Sequence, residues 1–219
     1  MNRYDMVIFD VDGTLFDTSE GIISSIRYVI KKMNYPELSL EDMRSFIGPP
    51  IQKTFAEKFN LDKEKAEMST EVFRSHYADK DLYKSAPYAG IEDLLIQIKV
   101  QKIQTAVATY KREDMAIMLL KHFNLDKYMD IVHGSDYNGT LTKCDIIRKC
   151  ISESGINDKS RIVMIGDTVG DASSAELAGI DFIGVTFGFG LNKNQDLAEI
   201  RTVGLADKAE EIINYIVEK

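Results

Sequence analysis

Short apolar runs bounded by turn residues recur along the chain, at Met6–Phe9, Thr105–Ala108, Asp130–His133, Arg161–Ile165 and Asp181–Val185. Each fits a strand buried on both faces, the pattern of a parallel sheet. Helical patterns separate most of them. Gly90–Val100 carries Ile91, Leu94, Leu95 and Ile98, Asp114–Phe123 follows the second run, and Lys143–Ser154 precedes the fourth. Such alternation predicts a doubly wound, mainly parallel α/β domain.

One stretch breaks the rhythm. From about Thr18 to Ser85 the sequence offers helical segments and no convincing strand. Ser19–Met33 places Ile22, Ile23, Ile26, Val29 and Ile30 at helical spacing. Ser39-Leu40-Glu41-Asp42 looks like a capping box, Gly48-Pro49-Pro50 breaks the pattern, and Leu61–Asp79 resumes it. A crossover this long is not a plain loop. We therefore expect residues 1–17 and 86–219 to form the α/β core, and residues 18–85 an inserted α-helical cap domain returning through Ala86–Gly90. The length of 219 residues suits one main core with a smaller insertion.

With 44% apolar and 28% charged residues, a sizeable core is available without disulfides. The net charge of −8 argues against general binding to nucleic acid or anionic membrane, since both tasks rest on Lys and Arg meeting phosphates. Cys144 and Cys150, six apart on a predicted helix, lie on different faces and are expected as reduced packing residues. No segment approaches the roughly 18 apolar residues of a membrane span, and Met1–Asp5 show no signal-peptide layout, so a cytoplasmic location is expected.

The chemistry concentrates at strand ends. The first run leads into Asp10-Val11-Asp12-Gly13-Thr14-Leu15-Phe16-Asp17-Thr18. Two carboxylates two residues apart point the same way on an extended chain, and Gly13 lets backbone turn toward a ligand. An Asp-Gly turn closing a strand is the plainer account, and on Asp10-Val11-Asp12-Gly13 alone the two stand about even. Ala106-Val107-Ala108-Thr109 ends in a hydroxyl residue that could instead cap the next helix. Lys143, after Gly139-Thr140-Leu141-Thr142, opposes a helix dipole and needs solvent or an anion. Gly166-Asp167-Thr168-Val169-Gly170-Asp171 follows a fourth strand, where helix capping could account for one acid.

Taken in order, these four segments resemble the motifs of the haloacid dehalogenase superfamily over nearly the whole chain. The resemblance implies a Mg²⁺-dependent phosphatase whose first strand lies between the second and fourth. Asp10 would be the nucleophile and Asp12 the general acid and base, with Thr109 and Lys143 binding phosphate. The ion would be held by Asp10, the backbone carbonyl of Asp12, Asp167, and Asp171 directly or through water. Gly13, Gly48, Pro49, Thr109, Tyr110 and Lys143 would touch substrate. A second acid at Asp12 favours phosphate esters over haloacids, which need no leaving-group proton. Ile51 stands where phosphomutase relatives carry an arginine, which lowers the odds of a mutase. Tyr110 stands where a small polar residue is usual. The Gly-Pro-Pro loop, Gly134-Ser135 and the apolar cap helices resemble the phosphoglycolate phosphatase and 5′-nucleotidase-like branch. Sugar-phosphate phosphatase, pyrophosphatase and phosphomutase are the alternatives within the superfamily. A phospho-accepting receiver domain and a silent binding protein are the alternatives outside it. Receivers carry the phosphorylated Asp on the third strand, which here leads to Gly134-Ser135. The expected partner is a small phosphate ester, with the chain a monomer or homodimer.

Overall fold

A computed structural model describes residues 2–193 and 202–217. It divides into two compact units, Met1–Phe16 with Pro87–Lys219, and Asp17–Ala86. Two short strands, β2 (Phe16–Asp17) and β3 (Ala86–Pro87), pair where the chain changes unit.

The first unit is built on a six-stranded sheet. Its strands are β1 (Met6–Phe9), β4 (Gln104–Arg112), β5 (Ile131–Ser135), β6 (Ile162–Gly166), β7 (Asp181–Val185) and β8 (Thr202–Ala206). Their order is β5-β4-β1-β6-β7-β8, and every pairing is parallel. Met6–Phe9, Ile162–Gly166 and Asp181–Val185 are buried throughout, which is why their sequences read as continuous apolar runs. Phe9 pairs with Val107 on one side and Ile165 on the other, so the next residues of three strands emerge at one edge. Parallel strands need crossovers, and α5 (Ile91–Val100), α6 (Glu113–His122), α7 (Lys143–Ser154) and α8 (Val169–Ala178) lie in them, while α9 (Ala209–Ile216) follows the last strand. Met6, Ile8, Ala106 and Met164 share one core cluster with Ile146, Ile147 and Cys150 of α7 and Ala172 and Ala175 of α8. Both cysteines are free and buried, and burial pushes the Cys150 thiol up to about 12.

Two features depart from the sequence reading. The second strand does not end at Thr109 but runs on to Arg112, with an irregular register between Ala108 and Arg112. Its polar end hid it, because apolar content marks only the buried stretch. Thr109 consequently caps no helix, since α6 starts at Glu113. Strand β8 carries Gly204 and is only partly buried, so it has no dense apolar run to betray it.

The second unit holds α1 (Ser19–Met33), α2 (Leu40–Arg44), α3 (Ile51–Phe59) and α4 (Lys63–His76), followed by a π-helical turn at Tyr77–Asp81. Ile22, Ile23, Ile26, Val29 and Ile30 form the buried stripe of α1. Phe46, Phe55 and Phe73 meet edge-to-face in series and Phe73 stacks on Tyr77, forming an aromatic core. Ser39 caps α2 by accepting the Asp42 N–H at 3.0 Å. Helix α3 begins straight after the Gly-Pro-Pro break, where proline pre-sets the backbone. Buried Asp81 is held by the Ser25 hydroxyl at 2.7 Å, Lys84 at 2.8 Å and His76 at 3.3 Å.

Candidate active site

Asp10 leaves β1 still paired, its N–H donating to Ile165 O at 3.0 Å. The chain then turns tightly, with Val11 O accepting the N–H groups of Leu15 and Phe16. Gly13 adopts φ +83°, and a Cβ there would collide with the Asp167 carboxylate, so both conformation and space require glycine.

Lys143 is the first residue of α7, fixed by the capping box of Thr142 and Asp145. Its ammonium, 2% exposed, reaches Asp10 Oδ1 at 2.6 Å and Asp171 Oδ1 at 2.8 Å. Asp171 does two jobs. Its Oδ2 accepts the Thr168 N–H at 3.1 Å and hydroxyl at 2.6 Å, closing the capping box of α8, while Oδ1 faces the lysine. Capping and site chemistry are thus shared by one side chain. Asp167 Oδ2 accepts the Phe189 N–H at 2.7 Å, whereas buried Oδ1 has no hydrogen-bond partner among the described residues. The loop after β7 therefore belongs to the site: a Cβ at Gly188 would strike Gly13 O and Asp167.

One carboxylate oxygen each from Asp10, Asp167 and Asp171 lies within 4.8 Å of the others, and all three residues are buried. A set of three acids and one ammonium carries excess negative charge. Burial pushes the Asp10 carboxyl up to about 6, Lys143 pulling it down and Asp171 and Asp12 raising it further. Burial, then Asp171 and Asp10, push Asp167 up to about 8. Burial would lower the Lys143 pKa, but the carboxylates of Asp10 and Asp171 outweigh it, and the ammonium is held above its ordinary value. All-oxygen donors, surplus negative charge and an orphaned Asp167 oxygen fit a hard divalent cation such as Mg²⁺.

Thr109 is buried beside β1 on β4, its Oγ1 accepting the Lys111 N–H at 3.2 Å. The Asp12 carboxylate stands outside the three-acid group and faces Lys111 Nζ at 2.9 Å. Lys111 was missed by the sequence reading. The available signal was its position two residues past Thr109 in an extended chain, which turns both side chains to one side. Tyr110 is half-buried, with Lys143 Nζ 5.6 Å from its ring centroid. Gly48, at φ +99°, and Pro49 belong to the second unit, between α2 and α3.

The family model for a haloacid dehalogenase-like hydrolase matches residues 7–185. The chain belongs to that family. A 5′-nucleotidase of Pseudomonas aeruginosa is 32% identical over 86% of the chain and 85% of its own length. A phosphoglycolate phosphatase of Agrobacterium fabrum is 30% identical over 84% and 81%. The crystal structure of a predicted phosphatase from Clostridium acetobutylicum superposes with a TM-score of 0.88 at 33% identity, covering 95% of this chain and 96% of that one. This haloacid dehalogenase-like hydrolase is accordingly an enzyme of the superfamily's phosphatase group. Among the described residues, no helix is long and apolar enough to cross a membrane.

Proposed function

We propose that this hydrolase is a Mg²⁺-dependent phosphomonoesterase that works through a phosphoryl group on Asp10. The observation that carries the reading is the buried Asp10–Lys143 pair inside a three-carboxylate group with one oxygen left over. Asp10 Oδ attacks phosphorus, forming the acyl phosphate as the ester P–O bond breaks. Asp12 gives its proton to the departing oxygen, then takes one from the water that releases inorganic phosphate and regenerates Asp10. Lys143 offsets the repulsion between carboxylate and phosphate, and Thr109 hydrogen-bonds a phosphoryl oxygen. Asp10, Asp167, Asp171 and the Asp12 carbonyl would hold the Mg²⁺, which supplies charge neutralisation during the transfer.

The substrate class we favour is a small phosphorylated metabolite of the phosphoglycolate or nucleoside-monophosphate type. Relatives bearing those two names cover most of the chain, and Ile51 offers no charge for a second phosphate. In this reading the helical unit serves as the cap, with Gly13, Gly48, Pro49 and Tyr110 contributing to substrate binding. The test is phosphate release by purified protein with Mg²⁺ from phosphoglycolate, nucleoside monophosphates, sugar phosphates and pyrophosphate. Asp10→Asn should lower turnover by on the order of 10⁴-fold or more while keeping a native circular-dichroism spectrum. An Asn variant as active as wild type rules the mechanism out.

A further inference from the structure

We propose that Lys111 is a positioning residue that holds the Asp12 carboxylate in its working place; the inference rests on the phosphatase reading above. Lys111 Nζ lies 2.9 Å from Asp12 Oδ1, with side-chain exposures of only 4% and 11%. The backbone of Asp12 is set by the turn at Val11 O, but that turn does not determine where the carboxylate points. Lys111 does. Its ammonium is delivered by the continuation of β4 beyond Thr109, anchored by its own N–H on Thr109 Oγ1.

Burying two charges consumes most of what their attraction returns, and an apolar pair of the same size would serve stability as well. The contact is an ion pair, and among the described residues Asp12 Oδ1 accepts no hydrogen bond, which leaves it able to make one elsewhere. Two buried ammonium groups thus divide three of the four acids between them. Lys143 takes Asp10 and Asp171, and Lys111 takes Asp12. The division keeps the proton-transfer group from competing with the nucleophile for Lys143.

The chemistry gives this role a kinetic signature. Nitrophenolate departs readily without a proton, whereas phenolate departs far less readily, and release of the phosphoryl group needs water activation with either ester. With Mg²⁺ present, Lys111→Met should lower kcat on phenyl phosphate by about 10²-fold and leave KM within about threefold. On p-nitrophenyl phosphate the same variant should show a burst of nitrophenolate followed by slow turnover. Lys111→Arg should recover kcat to within about tenfold of wild type. In an Asp12→Asn background, Lys111→Met should change kcat less than about twofold, because the residue acts through Asp12.

A raised KM with unchanged kcat would overturn the proposal in favour of direct substrate binding. So would equal slowing on both esters without a burst, or Lys111→Met slowing the Asp12→Asn enzyme as much as wild type. If Lys111→Met fails to fold because Asp12 is left buried without its partner, the Asp12→Asn/Lys111→Met pair against Asp12→Asn alone decides the question. Wild-type protein without turnover, or unaffected by Asp10→Asn, overturns the phosphatase reading and this inference with it. Turnover abolished by Asp10→Asn but indifferent to Lys111→Met overturns this inference alone.

Discussion

Asp81 in the helical unit and Asp167 in the α/β unit are both 1% exposed, yet their surroundings treat them in opposite ways. Asp81 is surrounded by donors: burial alone would raise its pKa, but Lys84, Ser25 and Ser24 hold it below the usual carboxylate range. Among the described residues, Asp167 has one backbone N–H on Oδ2, no hydrogen bond on Oδ1 and two acids for neighbours. A buried acid that serves structure is provided with its counter-charge by the protein. One left short, beside two others, is where the proposed cation would be held.

The contrast breaks most visibly at Lys143. Lys143→Met leaves Asp10 and Asp171 buried without an ammonium, and should cost roughly 3–5 kcal/mol of stability. The same change should lower kcat by on the order of 10³-fold. Urea melts and phosphate release check both; a variant as stable as wild type would mean the pairs are not buried as described.

Next in size is a pair of substitutions with opposite signs. At pH 8 without metal, Asp81→Ala should destabilise by about 2 kcal/mol, since Ser25 and Lys84 lose their acceptor. Asp167→Asn should leave stability unchanged or raise it, because it removes a repelled charge. Destabilisation of the metal-free protein by Asp167→Asn, matching that from Asp81→Ala, would erase the distinction.

The pH dependence sharpens it further. A carboxyl whose folded pKa is raised contributes stability that is complete below its unfolded value of about 4 and is lost as pH rises. For Asp167 the loss runs through about 8, and for Asp10 through about 6. Asp81, lowered, contributes above about 4 and loses its share as pH falls through its folded value. Melting temperature in chelator should therefore fall from pH 5 to 8.5, and Asp167→Asn should flatten the slope. An unaltered slope in that variant would contradict the assignment.

The legible part of this molecule was what periodicity and spacing encode. Buried parallel strands read as apolar runs because neither face meets water, and the residues just after β1 and β6 sit where ligands meet an open α/β sheet. Asp10, Asp12, Thr109, Lys143, Asp167 and Asp171 were named because their segments, in order, resemble the motifs of the haloacid dehalogenase superfamily; spacing alone left turn, capping and surface roles open for them. Lys111 was passed over, because a lysine in a polar stretch reads as solvated until the sheet shows it turned inward. The split duty of Asp171 stayed hidden, since a capping box and a charge partner call for the same residue at the same place. Strand β8 escaped because an edge strand carrying a glycine has little apolar density to display.

A smaller effect separates those duties. Thr168→Ala removes the hydroxyl partner of Asp171 and should cost about 1 kcal/mol through lost capping. Because Lys143 still holds Oδ1, kcat should fall only a few-fold. A loss as large as that of Lys143→Met would mean that the cap alone places Asp171.

Calorimetric titration of Mg²⁺ into metal-free protein at pH 7.5 tests the central claim most directly. Wild type should take up one ion per chain and gain about 2.7 kcal/mol of stability at a hundredfold excess over Kd. Asp167→Asn should lose that uptake, while a folded Asp81→Asn control keeps it. Equal Mg²⁺ binding by wild type and Asp167→Asn would contradict the claim that these three carboxylates are gathered to hold a cation.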